Sequence, residues 1–278
     1  MSAHTSTTAD TRQYPTPEQM FSLEGVSKMY GELVALAPIS LTIATGERVA
    51  LMGPSGSGKT TFLNLLANVL RPDSGNLFIA GYPSEALRPG RGTARLIGIM
   101  PQSFDIVPSL AVVHNVMAGR LGEWGLFRSL ISLLFPQELG RARVALARVG
   151  ILEKLYERTS RLSGGEQQRV ALARLLVQSP KAILADEPVA SLDPTRAEDL
   201  VAMLSAIAQE EGQALVASLH SVPLALRYFS RIIALRQGQV VFDLPTETVT
   251  SEDMDRLYSF ENKGIASARA FDDSTRIE

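Results

Sequence analysis

The sequence contains no cysteine, which excludes disulfide bonds, thiolate metal sites and a cysteine nucleophile. It also lacks an excess of either charge, because 27 Lys and Arg stand against 29 Asp and Glu, a net charge of -2. This balance argues against a nucleic-acid partner held by a broad basic surface. No run of about eighteen uncharged apolar residues is present, so the sequence predicts no transmembrane helix. The nearest approach, residues 125–136, is short and contains Arg128.

The two ends of the chain differ in composition from the rest. Residues 1–20 are polar and rich in threonine, without the apolar segment of a secretory signal, and they predict a disordered tail. Residues 258–278 predict a second loose tail. We expect the intervening residues 21–257 to form one domain, which is long enough to bury a substantial core.

The hydrophobic pattern within that domain indicates an α/β fold. Residues 21–30 and 33–46 alternate apolar and polar side chains, as in an antiparallel β subdomain. Continuous apolar runs at 48–53, 96–102, 182–186 and 214–220 are typical of strands buried on both faces, and helical patterns separate them. The prediction is a mostly parallel core sheet with a helical subdomain inserted at about residues 103–175. The segment 231–243 predicts a hairpin that turns at Gln237 and Gly238.

The segment GPSGSGKT matches the phosphate-loop pattern of nucleotide-binding proteins and lies between a predicted strand and a predicted helix. Glycines let backbone N–H groups approach phosphates, Lys59 can reach the β- and γ-phosphates, and the Thr60 hydroxyl can bind Mg²⁺. The alternative is an ordinary glycine-rich turn before a helix. The predicted nucleotide-binding residues here are Gly53, Pro54, Ser55, Gly56, Ser57, Gly58, Lys59, Thr60 and Thr61.

Two carboxylates follow the apolar run at 182–185. Asp186 at a strand end suits a Mg²⁺ ligand, directly or through water. Glu187, one residue later, can polarise an attacking water molecule. Such a pair is usually a solvated strand end, but a phosphate loop elsewhere in the chain favours the magnesium interpretation.

With these motifs in this order, the chain resembles the ATP-binding subunits of ATP-binding-cassette (ABC) transporters over roughly residues 21–257. The segment LSGGEQQ at 162–168 is similar to the signature motif of that family. The resemblance implies a phosphate-loop nucleotide hydrolase that binds ATP and Mg²⁺. It assigns adenine stacking to Tyr30, sensing of Mg²⁺ and γ-phosphate to Gln102, and a D-loop to residues 190–193. It also assigns to His220 the switch histidine, which contacts the γ-phosphate.

Each of these three assigned side chains also has a structural interpretation. An isolated tyrosine near a strand end is usually part of the core or its rim. A glutamine that ends a strand is usually a cap, and a histidine after an apolar strand is usually a satisfied strand end. The order of the motifs favours the nucleotide roles.

The signature segment is a second glycine turn before a helix, yet the chain has only one phosphate loop. In the family that it resembles, this turn contacts the γ-phosphate bound to another chain. Ser163, Gly164 and Gly165 would supply a hydroxyl, backbone N–H groups and a helix N-terminus. The resemblance therefore implies a head-to-tail homodimer with ATP between the chains.

Three functions compete. The first is the motor of a membrane importer, with integral membrane permease subunits and, indirectly, a substrate-binding protein as partners. The second is a soluble ABC ATPase in repair or translation, and the third is a binding module without catalysis. The intact Lys59, Asp186, Glu187 and His220 argue against the third.

The finer resemblance is to phosphonate import ATP-binding proteins, from which Glu166 departs because a glutamine is frequent there. It implies a peripheral protein on the cytoplasmic face of the inner membrane that drives phosphonate or phosphite import. Another importer class, for an amino acid or other small solute, remains the alternative. Most apolar residues of the segment 104–136 are expected to form the core of the helical subdomain. Part of its surface, near Trp124, is expected to contact the membrane partner.

Overall fold

The computed structural model describes residues 18–88, 91–103, 105–124, 138–190 and 192–258. Its strands are β1 Gln19–Tyr30, β2 Leu33–Ala44, β3 Arg48–Met52, β4 Ser74–Ile79, β5 Tyr82–Pro83, β6 Ile97–Met100, β7 Ala182–Ala185, β8 Ala214–Ser218, β9 Arg231–Arg236 and β10 Gln239–Pro245. Its helices are α1 Lys59–Leu66, α2 Arg91–Ala94, α3 Val112–Met117, α4 Leu139–Arg148, α5 Gly164–Gln178, α6 Pro194–Glu210, α7 Val222–Tyr228 and α8 Ser251–Tyr258.

The main sheet has the strand order β10-β9-β3-β8-β7-β6. Its internal pairs are parallel, and only the β9–β10 hairpin is antiparallel. Every residue of β7 and β8 is buried, because helices or the second sheet cover both faces. The hairpin turns at Gln237 and Gly238, both with positive φ, as the twist of a two-residue loop requires. The predicted parallel core and its terminal hairpin are confirmed.

The second sheet is antiparallel, with the order β2-β1-β4-β5. Consecutive residues of β3 point to opposite faces of the main sheet and so enter different cores. Leu51 packs in one core with Phe21 and Phe62, which come from the antiparallel sheet and α1. Met52 packs in the other core, with side chains of α3, α5 and α6. The antiparallel subdomain that the alternating pattern predicts is therefore present and shares a core with α1.

Helices α3, α4 and α5 lie between β6 and β7 in the chain and pack on one another. Trp124 belongs to their core and is 5% exposed, which corrects the expectation that it contributes to a partner surface. A large aromatic ring here fills the helical core, where it buries more apolar area than a surface position would. Residues 125–137, which include the rest of that predicted surface, lie outside the described residues.

Three predicted boundaries differ from those in the structure. β1 begins at Gln19 and buries Met20, so these two residues belong to the sheet and not to the predicted tail. Tyr258 likewise ends α8, and residues 1–17 and 259–278 lie outside the described part. The helical sequence pattern after the phosphate loop runs from Thr60 to Leu70, but α1 ends at Leu66, because Asn68 adopts a positive φ of 56° and terminates it.

None of the helices in the described ranges is long and apolar enough to cross a membrane.

Candidate nucleotide site

The carboxyl ends of four parallel strands meet at one edge of the main sheet. β3 ends before the phosphate loop, β6 before Gln102, β7 before Asp186, and β8 two residues before His220. β8 lies between β3 and β7 and pairs with both, with Ser218 opposite Leu51 and Ala217 opposite Ala185. Ligands of open α/β sheets bind at this edge. The topology therefore brings these predicted residues to one side of the molecule.

The phosphate loop needs glycine at two positions for physical reasons. Gly53 has a φ of 148°, and a Cβ there would lie 2.0 Å from the Leu235 carbonyl oxygen. Gly58 has a φ of 103°, and a Cβ would lie 2.7 Å from the Ala35 carbonyl oxygen. Neither position has room for a side chain, because the backbones of β2 and β9 press against the loop. The loop can therefore keep its backbone N–H groups available for an anion at the start of α1.

Lys59 lies folded against this loop and is only 5% exposed. Its Nζ donates to the carbonyl oxygens of Gly53, at 2.8 Å, and Pro54, at 3.1 Å. These contacts hold the ammonium group beside the loop, where it can also meet phosphate oxygens. Thr60 follows in the first turn of α1 with an exposed side chain, and Thr61 is half-buried.

The acid pair is held by groups from β8 and the loop after it. The Ser218 hydroxyl donates to Oδ1 of Asp186 at 2.8 Å and accepts from the Glu187 backbone N–H at 2.7 Å. The carboxylate of Glu187 lies 2.8 Å from Nε2 of His220. Glu187 has a φ of 46°, which non-glycine residues seldom adopt, and which often marks functional sites. A cavity of about 590 Å³ adjoins Glu187 and His220 and extends to Ala190 and Leu192.

The available donor set suits Mg²⁺ better than a softer metal. Thr60, Gln102 and Asp186 all offer oxygen atoms, the ligand type that Mg²⁺ prefers. Within the described residues there is no group of three or more His, Cys, Asp or Glu side chains that could hold a metal ion by itself. Mg²⁺ commonly binds through one or two protein oxygens together with substrate phosphates, so this sparse set fits it.

Tyr30 lies at the tip of the β1–β2 hairpin, paired with Leu33, and its side chain is 48% exposed. The Lys28 ammonium group lies 6.0 Å from the centre of the Tyr30 ring. Two residues beyond Leu33, the Ala35 carbonyl contacts the Gly58 backbone region, so the hairpin tip adjoins the phosphate loop. Nearly half of the Tyr30 side chain is thus exposed beside the loop, and its stacking on adenine stays a prediction. Gln102 is exposed just after β6, and its role stays a prediction.

The signature turn begins α5 and forms a capping box. The Ser163 hydroxyl accepts from the Glu166 N–H, and the Glu166 carboxylate accepts from the N–H and the hydroxyl of Ser163. The Ser163 N–H is the main cause that lowers the pKa of the Glu166 carboxyl below its ordinary value, and the Ser163 hydroxyl adds to it. Lys154 Nζ lies 3.6 Å from the same carboxylate.

A cavity of about 270 Å³ separates this turn from α6 and is lined by Ser163, Gly165 and Arg196 among others. No phosphate-loop residue lines it. Gly164 and Gly165 have open space where a Cβ would lie, so their small size leaves the turn accessible from outside. Ser163, Gly164 and Gly165 thus lie in a second glycine turn before a helix, apart from the phosphate loop.

One functional candidate escaped the sequence analysis. Ser218 contacts both acids, yet it lies inside a run of apolar residues that resembles any buried strand. A single polar residue at the end of a buried strand was the available signal.

Comparison with known proteins agrees with this geometry. The ABC transporter family model matches residues 36–190. The chain is 47% identical to the phosphonates import ATP-binding protein PhnC of Pseudomonas putida, over 86% of this chain and 90% of that protein. It is 45% identical to the phosphonates import ATP-binding protein PhnC 1 of Pseudomonas aeruginosa, over 90% of this chain and 94% of the relative.

A solved structure gives the same result. The ATP-binding cassette MJ0796, in a dimer bound to ADP and Pi, matches with a TM-score of 0.69 and 31% identity, over 82% of this chain and 99% of that one. The family match covers more than half of this chain, and the relatives span most of it. The chain therefore belongs to the ABC transporter family and is one of its ATP-binding, ATP-hydrolysing subunits.

Proposed function

We propose that the chain is the ATP-hydrolysing motor of an importer for phosphonates or a closely related anion such as phosphite. The observation that carries the catalytic part is the joint placement of Lys59, Asp186, Glu187 and His220 at one sheet edge, with Glu187 held by His220 at 2.8 Å. The identity to phosphonates import ATP-binding proteins supports the transport part.

Hydrolysis of ATP at this edge uses each group for a separate task. The loop N–H groups and Lys59 bind the β- and γ-phosphates and offset the charge that develops on the leaving oxygen. Glu187 accepts a hydrogen bond from the attacking water and orients it in line with the γ-phosphate. His220 holds the Glu187 carboxylate in place, and Gln102 lies at the same edge to contact the γ-phosphate. Mg²⁺, bound by Thr60, Asp186 and Gln102, would neutralise charge on the phosphates.

The second anion-binding turn supports a dimer in which each ATP contacts two chains. Ser163, Gly164 and Gly165 have no phosphate loop beside them and remain accessible. The similarity to a cassette solved as a dimer supports the same arrangement. ATP then stabilises the closed dimer through contacts with both chains. Loss of the γ-phosphate removes those contacts, so hydrolysis opens the dimer.

A groove of about 640 Å³ near the end of β6 offers a place for the permease. Its lining includes two exposed apolar side chains, Val69 at 63% and Ile99 at 42%, together with Pro101. Arg174 closes one side and donates to the Asp105 carbonyl at 2.8 Å, while burial lowers the pKa of its guanidinium. We propose a short helix of a permease subunit as the occupant, since Gln102 directly follows Pro101 and would transmit its movement.

This proposed docking supports a location for the motor. A subunit that uses ATP works on the cytoplasmic face of the inner membrane, and contact with the permease makes it peripheral. The substrate reaches the permease from a separate binding protein. A small anion needs an energy source for entry, since an interior-negative potential opposes it by about 2.3 kcal/mol per charge per 100 mV.

Growth on defined phosphorus sources tests the transported substrate. Deletion of the gene should abolish growth on a phosphonate or on phosphite as the only phosphorus source, while growth on ample phosphate continues. The same gene carrying Lys59→Ala should fail to restore growth, because ATP binding is lost. Undiminished uptake of both phosphorus compounds, with loss of uptake of an amino acid, would assign the chain to another importer class.

A further inference from the structure

Ser218 is the last residue of β8, and it is fully buried at 0% exposure. Its hydroxyl is placed by sheet register, because Ala217 pairs with Ala185 and so brings Ser218 level with Asp186. One oxygen atom thereby donates to the Asp186 carboxylate and accepts from the Glu187 main chain. The hydroxyl joins the side chain of the first acid to the backbone of the second.

The buried hydroxyl of Ser218 is unusual among the apolar side chains of β8. The preceding residues 214–217 are all apolar, and each is 0% or 1% exposed. An alanine would fill most of the same space without a polar atom, and burying a hydroxyl is unfavourable unless it is hydrogen-bonded. Both of its bonds at Ser218 lead to the acid pair and neither leads elsewhere in the strand.

The backbone of Glu187 requires support. Its φ of 46° lies in the left-handed region, where a non-glycine residue stays only when its surroundings hold it. Ser218 holds the Glu187 N–H, and His220 holds its carboxylate. Glu187 is therefore held both at its backbone and at its carboxylate, and the hydrogen bond to Ser218 is the one that holds the backbone.

We propose that Ser218 is a positioning residue that sets the metal-binding carboxylate of Asp186 and the water-orienting Glu187 through one hydroxyl. This rests on the proposed function of the acid pair, and it adds a residue that the family motifs leave out. Ser218 contacts neither water nor phosphate in this role. It acts through two neighbours, so its loss affects metal binding and turnover together.

The test compares Ser218→Ala with the wild-type chain. Mn²⁺, titrated by electron paramagnetic resonance in the presence of a non-hydrolysable ATP analogue, reports binding at the metal site without turnover. Removing one hydrogen bond to a charged carboxylate should weaken Mn²⁺ binding roughly tenfold and lower kcat by about ten- to a hundredfold. Binding of ATP without divalent metal should stay within about twofold, because the phosphate loop and Lys59 are unchanged.

Ser205→Ala is the matched control. Ser205 is also a buried serine, 2% exposed, whose hydroxyl accepts from Arg48 at 3.0 Å and donates to the Tyr228 carbonyl at 2.9 Å. Its removal costs a comparable pair of hydrogen bonds in the same domain but should leave Mn²⁺ affinity unchanged. If Ser205→Ala weakens Mn²⁺ as much as Ser218→Ala does, the effect is general destabilisation and the proposal is wrong.

A double variant shows whether Ser218 acts through Asp186. Asp186→Asn should itself weaken Mn²⁺, and adding Ser218→Ala should then have little further effect on Mn²⁺ affinity. Additive losses, or unchanged Mn²⁺ affinity and turnover in Ser218→Ala alone, would overturn the inference. Absence of ATP turnover in the wild-type chain would instead contradict the motor function, while the Mn²⁺ titration still decides the role of Ser218.

Discussion

The catalytic assignment of Glu187 predicts that Glu187→Gln binds ATP but hydrolyses it very slowly. Glutamine has the same shape, and its amide oxygen can keep the contact that Glu187 makes with His220 at 2.8 Å. The backbone bond to Ser218 also survives, because it involves only the Glu187 N–H. The substitution thus removes the negative charge that orients water and disturbs little else.

The expected loss can be stated as a free energy. A general base contributes about a hundredfold to ten-thousandfold, which corresponds to roughly 2.7–5.5 kcal/mol of barrier. His220→Ala should cost less, about ten- to a hundredfold, because it removes one hydrogen bond to the carboxylate and leaves the base itself. The variant with the larger loss of hydrolysis rate therefore identifies the base, and the other identifies the residue that positions it.

Single-turnover hydrolysis with enzyme in excess over ATP measures these losses directly. Size-exclusion chromatography with saturating ATP should show a persistent dimer for Glu187→Gln, since the ATP that joins the chains is not consumed. Lys59→Ala is the control and should remain monomeric with ATP. Wild-type turnover in Glu187→Gln would refute its role as the base, and a larger loss in His220→Ala would transfer that role to the histidine.

Three further predictions concern the signature turn and the scaffold. Ser163→Arg should bind ATP normally and fail to dimerise, and loss of ATP binding by the monomer would contradict this. Mixed with Lys59→Ala, it should regain some ATPase activity, since one of the two ATP sites between the chains then carries neither substitution. Glu166→Gln should dimerise at an ATP concentration about two- to fivefold lower, measured by titration on a size-exclusion column. The reason is that a negative charge worth roughly 0.3–1 kcal/mol near the helix N-terminus no longer opposes the phosphate. An unchanged midpoint concentration would count against this. Arg231→Ala should lower the free energy of unfolding by roughly 3 kcal/mol, measured by urea denaturation, since Asp243 and Glu47 lose their partner. Unchanged stability would show that this ion-pair cluster is dispensable.

The residues that the sequence could predict are those whose chemistry is contained in a short segment. The phosphate loop combines glycines that have no room for a Cβ with a lysine six residues after Gly53. These residue types at this spacing are enough to predict the geometry of the turn. The buried strands were equally predictable, because β7 is apolar throughout and β8 is apolar up to Ser218. Both features depend on local sequence alone.

The features that the sequence could not give depend on distant contacts. Ser218 meets Asp186 only because β7 and β8 pair in one register, and no pattern within either strand specifies that pairing. Trp124 is similarly ambiguous, since the sequence around it does not say whether a large ring faces the helical core or a partner. The early end of α1 depends on the left-handed conformation of Asn68, which propensity allows but does not require.

The phosphate loop and the proposed second anion-binding turn differ in the contacts that their side chains already make within one chain, and this difference bears on how ATP would close the dimer. The site at the chain's own phosphate loop already has its lysine, acids and histidine, so ATP can bind there before the second chain does. In the signature turn, the Ser163 hydroxyl is donated to the Glu166 carboxylate, 2.9 Å away. A phosphate from the partner must replace that carboxylate, so closure exchanges one charge-assisted hydrogen bond for another. In the proposed dimer the net gain from the Ser163 hydroxyl is then small, so we expect the backbone N–H groups of the turn and the helix N-terminus to supply most of the contact with the partner's phosphate.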